Sequence, residues 1–102
     1  MAYPTVIMGE NVTRRVLAES PELMTVAFAF AAKGATGALH QHVHVQSTFV
    51  QSGRFRFTVE DKVFEVGPGD AFVIASNAVH GCVCLEPGVL IDGFTPRRDD
   101  FL

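Results

Sequence analysis

Apolar and polar residues alternate with a period of two along most of this chain, and helical periodicity is missing nearly everywhere. Met24, Val26, Phe28 and Phe30 alternate with smaller residues over 22–31, which predicts one strand, and 47–51 predicts another. Arg54-Phe55-Arg56-Phe57-Thr58-Val59-Glu60 alternates cleanly, turns at Asp61-Lys62 and returns as Val63-Phe64-Glu65-Val66, a hairpin in which the two arginines face water. Gly67-Pro68-Gly69-Asp70 marks a turn before a strand at 71–75, and Glu86-Pro87-Gly88 separates strands at 81–85 and 89–94. The segment 11–19 reads as a leading strand or a loop, and the charged tail 96–100 reads as surface. Short strands at this spacing predict an all-β sandwich or small barrel.

With 102 residues, 48% of them hydrophobic, the chain has room for one domain, expected over 1–102. Eight basic residues against eleven acidic ones give a net charge of −3, and the only adjacent basic pairs are Arg14-Arg15 and Arg97-Arg98. That is no electrostatic footprint for nucleic acid. The longest near-apolar run, 23–32, is interrupted at Thr25 and falls well short of the roughly 18 residues of a membrane span. The N-terminus has neither a basic start nor a sustained apolar stretch, so a cytoplasmic location is expected. Cys82 and Cys84 would share one face of a strand with their Cα atoms at the limit of disulfide reach, and read as reduced thiols.

All four histidines lie between positions 40 and 80, and His40, His42 and His44 occupy alternate positions. A regular strand would aim these three imidazoles to one side. Buried for structural reasons alone, each would need its own hydrogen-bond partner in a small interior, whereas neutral imidazole is the commonest metal ligand. The cluster therefore points to a metal.

The same residues carry a resemblance. Gly34, five residues, His40-Gln41-His42, three residues, Gln46, six residues and Gly53 resembles the first cupin motif, with Gln46 where glutamate is usual. Gly69-Asp70 followed by His80 resembles the second, with Ala75 in place of proline, Asn77 in place of the turn glycine and Cys84 in place of asparagine. Asparagine tolerates the left-handed backbone that such a turn needs. The resemblance implies a double-sheet jelly-roll barrel with its core at about 22–95, and metal ligands at His40, His42, Gln46 and His80. His44 is left over; a bend between His42 and Gln46 is needed if it is to leave the ligand set, and it then faces either substrate or solvent. Three neutral imidazoles and an amide leave a divalent ion at its full charge, which suits an anionic ligand. Zn, Ni, Co, Mn and Fe(II) all fit such donors.

Toward the C-terminus, His80-Gly81-Cys82-Val83-Cys84-Leu85-Glu86, Gly88-Val89-Leu90-Ile91-Asp92, Phe94-Thr95-Pro96 and Arg98-Asp99-Asp100-Phe101-Leu102 resemble the end of the KdgF family, small cupins of pectin and alginate breakdown. Val43 stands where proline is usual. The family's catalytically important residues fall on Asp92, Phe94 and Arg98. Asp92 also stands out independently: it shares a strand face with Leu90 and Phe94, so a carboxylate is either buried or turned into a cavity. Its competing role is an ion pair with Arg54, Arg56 or Arg98; the competing reading of Phe94 is core packing, and that of Arg98 a solvated tail residue.

The resemblance implies a metal-assisted opening of cyclic 4,5-unsaturated monouronates to the linear 4-deoxy-5-keto uronate, with Asp92 as base or acid, Arg98 on the carboxylate and Phe94 shaping the pocket. Other readings are a cupin dioxygenase or isomerase on another small acid, and a non-catalytic sugar-acid binding cupin. A homodimer is expected, with the apolar strand at 22–31 offering an edge to cover.

Overall fold

A computed structural model of the chain describes residues 3–102; Met1 and Ala2, where the N-terminal reading and the expected domain begin, lie outside the described residues. Ten strands follow one another: β1 (Val6–Gly9), β2 (Val12–Ser20), β3 (Leu23–Phe30), β4 (Thr36–His40), β5 (Val45–Val50), β6 (Arg54–Val59), β7 (Lys62–Val66), β8 (Ala71–Ile74), β9 (His80–Glu86) and β10 (Gly88–Thr95). A short 3-10 turn, Asp99–Phe101, ends the chain. The strands form a six-stranded sheet in the order β1-β2-β3-β10-β5-β8 and a four-stranded sheet in the order β4-β9-β6-β7. Every pairing is antiparallel. This is the expected all-β double-sheet fold.

Period-two patterning decides what is inside. In β5 the buried positions are Gln46, Thr48 and Val50, and in β6 they are Phe55 and Phe57. Phe55 is fully buried, with its ring edge-on to Phe30 at 5.1 Å, and Val50, Phe57, Val66, Cys84 and Leu90 belong to the same cluster. Burying such side chains supplies about 1.5–3 kcal/mol each. A second cluster, Val16, Met24, Val26 and Phe94, lies under the C-terminal segment. Arg54 and Arg56 face water as expected, near Glu86 at 3.9 Å and Glu65 at 3.3 Å.

Several expectations need correction. Of the two readings of 11–19 the strand holds, with Asn11 in the turn and 12–19 in β2, but β1 precedes it, unanticipated because its three apolar residues are too few to show alternation. The hairpin turns at Glu60-Asp61, one residue early, with Glu60 at φ 53° and Lys62 already in β7. β3 is no edge: β2 and β10 pair with it on either side, so its backbone offers nothing to a partner. His40, His42 and His44 do not share a strand. β4 ends at His40 in the smaller sheet, 41–44 cross between the sheets, and β5 begins at Val45 in the larger one. The tail 96–100 is exposed at Pro96, Asp99 and Asp100 but half-buried at Arg97 and Arg98, and just beyond it Phe101 packs edge-on against Phe28 and Phe94 at 6.0 and 5.8 Å.

Two backbone positions of the motifs have clear reasons. Gly53, at φ 79°, sits where a Cβ would lie 2.5 Å from the Glu86 carbonyl oxygen, so only glycine allows that approach. Asn77 takes the left-handed conformation at φ 63°, as its place in the second motif requires.

Candidate metal centre

The crossover between the sheets assembles the histidines. His40 at the end of β4 is directly paired with His80 at the start of β9, and their rings lie 4.3 Å apart. His42, on the crossover, brings its ring within 5.4 Å of His40 and 4.9 Å of His80. One nitrogen from each of the three falls within 4.8 Å of the others, a spacing that could hold a metal ion.

Each imidazole is oriented through its other nitrogen. Nδ1 of His40, His42 and His80 lies 2.8, 2.9 and 2.9 Å from the backbone oxygens of Ala38, His44 and Ala78. A carbonyl only accepts, so each ring proton sits on Nδ1 and each Nε2 presents a lone pair. Burial holds His42 below its ordinary pKa and pushes His80 down to about 4, keeping both lone pairs available at neutral pH. Nε2 of His80 is buried with no partner, and Nε2 of His42 faces Oε1 of Gln46 at 3.1 Å. With the proton on Nδ1, these two atoms are both acceptors. A cation between them would account for their approach, and three imidazole nitrogens with one amide oxygen would fit a divalent ion of the borderline series.

Gln46 is itself held from behind. Its amide nitrogen donates to Oγ1 of Thr48 at 3.0 Å and to Oδ2 of Asp92 at 3.1 Å. Asp92 lies opposite Thr48 across β5 and β10, and its Oδ1 is buried without a partner. Burial raises the Asp92 carboxyl from its ordinary 3.8 to about 7, against the opposing pull of the Thr48 hydroxyl and the charge of Arg98. Arg54 and Arg56 point away to water, which removes them as ion-pair partners.

Leu90, Asp92 and Phe94 turn inward from β10 into a cavity of about 360 Å³, lined also by His40, Gln46 and His80. Arg98 closes one side. Its guanidinium lies 4.0 Å from the Phe101 ring centre and 5.2 Å from that of Phe94. Asp100 holds it through contacts of 2.9 and 3.3 Å, and the side chain is only 13% exposed. The space is of monosaccharide scale, with a cationic fork, a carboxylate and convergent imidazoles facing it.

Residues 27–93 match the family described as "Cupin domain". Over 97 residues the chain is 41% identical to the pectin degradation protein KdgF of Dickeya dadantii, covering 93% of this chain and 87% of that protein. The chain belongs to the KdgF family of cupins. The solved KdgF of Halomonas sp. superposes with a TM-score of 0.92 at 39% identity, covering 98% of this chain and 92% of that one. An RmlC-like cupin from Shewanella frigidimarina superposes with a TM-score of 0.92 at 36% identity, over 98% of this chain and 89% of that one.

In this cupin the leftover histidine, His44, leaves the cluster through the bend the crossover provides. Its backbone oxygen accepts from His42, its ring stands 5.5 Å from that of His42, and its Nδ1 is buried without a partner. Sequence reading missed Thr48, although its parity with Gln46 and Val50 already placed it inside. It also missed Phe101 and Arg14, whose guanidinium stacks 4.2 Å from the Phe101 ring centre; nothing in a charged C-terminal tail signals that contact.

Proposed function

We propose that this cupin opens the ring of cyclic 4,5-unsaturated monouronates to the linear 4-deoxy-5-keto uronate, with one divalent ion held by His40, His42, Gln46 and His80. The observation that carries this reading is the buried Asp92, its Oδ1 unpartnered, in the wall of a cavity it shares with Gln46 and with His40 and His80 of the three convergent histidines. The 41% identity to a pectin degradation protein supports the substrate class.

A divalent ion bound there supplies Lewis acidity toward the uronate carboxylate and ring oxygen. Asp92, with its carboxyl near 7, can accept a proton and return one at neutral pH. It takes the anomeric hydroxyl proton as the bond between C1 and the ring oxygen breaks, leaving an aldehyde at C1 and an enolate at C5. Delivery of a proton to C4 then yields the C5 ketone. Protons taken and given balance, so the reaction is an isomerisation with no redox partner. Arg98 holds the uronate carboxylate or a hydroxyl through its planar fork, and Phe94 keeps water from the reacting carbons.

Among the described residues no helix is long and apolar enough to cross a membrane. A cytoplasmic location is supported by the free thiols of Cys82 and Cys84. Association as a homodimer is supported by Val45, Phe49 and Val73, exposed on the outer face of the six-stranded sheet.

Time-resolved proton NMR of an unsaturated galacturonate monomer, with and without the metal-loaded protein, tests the activity. Accelerated loss of the vinyl signal with growth of the open-chain product is expected; equal rates in both samples would refute it.

A further inference from the structure

The four proposed metal-holding residues include one, Gln46, whose side chain is nearly symmetric in shape and can bind in either of two orientations. With its oxygen toward the histidines it offers a lone pair to a cation. Turned over, it would aim an N–H at Nε2 of His42 and occupy the lone pair a metal needs. Something must decide between the two.

Thr48 is fully buried on β5, two residues along from Gln46 and on the same inward face, directly opposite Asp92 on β10 and Phe72 on β8. Its Oγ1 takes one amide hydrogen of Gln46 at 3.0 Å, while Oδ2 of Asp92 takes the other at 3.1 Å. The amide nitrogen thus has acceptors on its own side, Oδ2 of Asp92 and the Thr48 hydroxyl. Packing alone does not call for it, because valine has the same shape and suits a buried strand position better, without a hydroxyl to satisfy.

We propose that Thr48 is a positioning residue: its hydroxyl, together with Oδ2 of Asp92, holds the Gln46 amide nitrogen and so keeps the amide oxygen toward His42. This rests on the reading of His40, His42, Gln46 and His80 as one metal centre. The hydroxyl touches neither the ion nor the substrate and acts through the Gln46 amide it holds. Gln46 and Asp92 are thereby set by one hydrogen-bonded unit on two adjacent strands.

The test is Zn²⁺ affinity of Thr48→Val, Thr48→Ser and Thr48→Ala, measured by competition with a chelating dye, alongside melting of the metal-free proteins. Thr48→Val should bind Zn²⁺ about 10–100-fold more weakly than the parent, the usual cost of losing a residue that orients a ligand. Thr48→Ser should retain the parent's affinity, and Thr48→Ala should lose it as valine does. Should Thr48→Val fail to fold, the alanine and serine proteins carry the same comparison. Parent-like Zn²⁺ affinity in the proteins lacking the hydroxyl would overturn the proposal, as would equal losses in the serine and valine proteins. Uronate turnover is read separately. A protein that shows this Zn²⁺ pattern and leaves uronates untouched would refute the functional reading and leave the role of Thr48 standing.

Discussion

Gln46 donates its amide nitrogen to Oδ2 of Asp92 at 3.1 Å across the β5–β10 ladder, while its carbonyl oxygen faces Nε2 of His42 at the same distance. That relationship accounts for a glutamine where cupins usually have glutamate. A carboxylate at position 46 would stand against the Asp92 carboxylate at this separation, a repulsion of about 5 kcal/mol at an effective dielectric of about 20. The amide is neutral toward the metal side and a donor toward the acid.

Gln46→Glu therefore makes Asp92 hold its proton to higher pH. In the metal-free protein the native state then binds more protons than the unfolded chain across a wider range, so stability falls further as pH rises beyond neutrality. Melting scans from pH 6 to 9 should show the variant losing ground to the parent with increasing pH. The limb of the pH–rate profile that reports Asp92 should move to higher pH.

Asp92→Asn should reduce turnover of unsaturated uronate at least about 100-fold, the usual contribution of a positioned acid or base, with metal content unchanged. Its stability effect has a definite sign. The native carboxyl keeps its proton to about 7 and the unfolded one releases it near 3.8, so between these values the parent loses stability as pH rises. His80, pushed down to about 4 from 6.5, works the other way over its own window, losing stability as pH falls. The difference between Asp92→Asn and parent isolates the carboxyl. It should grow in favour of the variant from pH 4 to 7, by at most about 1.4 kcal/mol per pH unit, in chemical denaturation of the metal-free proteins.

Arg98→Lys keeps the charge and loses the planar fork that stacks on Phe101 at 4.0 Å and pairs with Asp100 at 2.9 Å. KM for the uronate should rise about tenfold, equivalent to about 1.4 kcal/mol, with a smaller change in kcat. Asp100→Asn, which loosens the guanidinium without removing it, should raise KM less than about fivefold, as expected for a partly exposed pair. Steady-state kinetics on both variants separates the two effects.

Much of this fold was legible because alternation is a local property. The runs over 54–60 and 63–66 show their buried faces directly, and β6 and β7 lie where they predict, apart from the turn register. The inward placement of Asp92 with Leu90 and Phe94 was legible for the same reason. The histidines were legible as a cluster and not as a geometry. Alternation between His40 and His44 suggests one strand, but the decisive fact is that the chain changes sheets between His40 and Val45, which depends on pairing partners distant in sequence. Met8, Phe101 and Arg14 illustrate the rest. Met8 lines the cavity from a strand too short to show a period, and the other two meet only when the C-terminal turn folds back over β2 and β3. Contacts between chain ends leave no periodic trace in sequence.

The central claim is that His40, His42, Gln46 and His80 close around one cation. Anomalous scattering from crystals loaded with Zn²⁺ tests it most directly. A single site about 2.0–2.2 Å from Nε2 of each histidine and from Oε1 of Gln46 is expected. An ion bound elsewhere, or held by the histidines with the Gln46 amide turned away, would contradict the account.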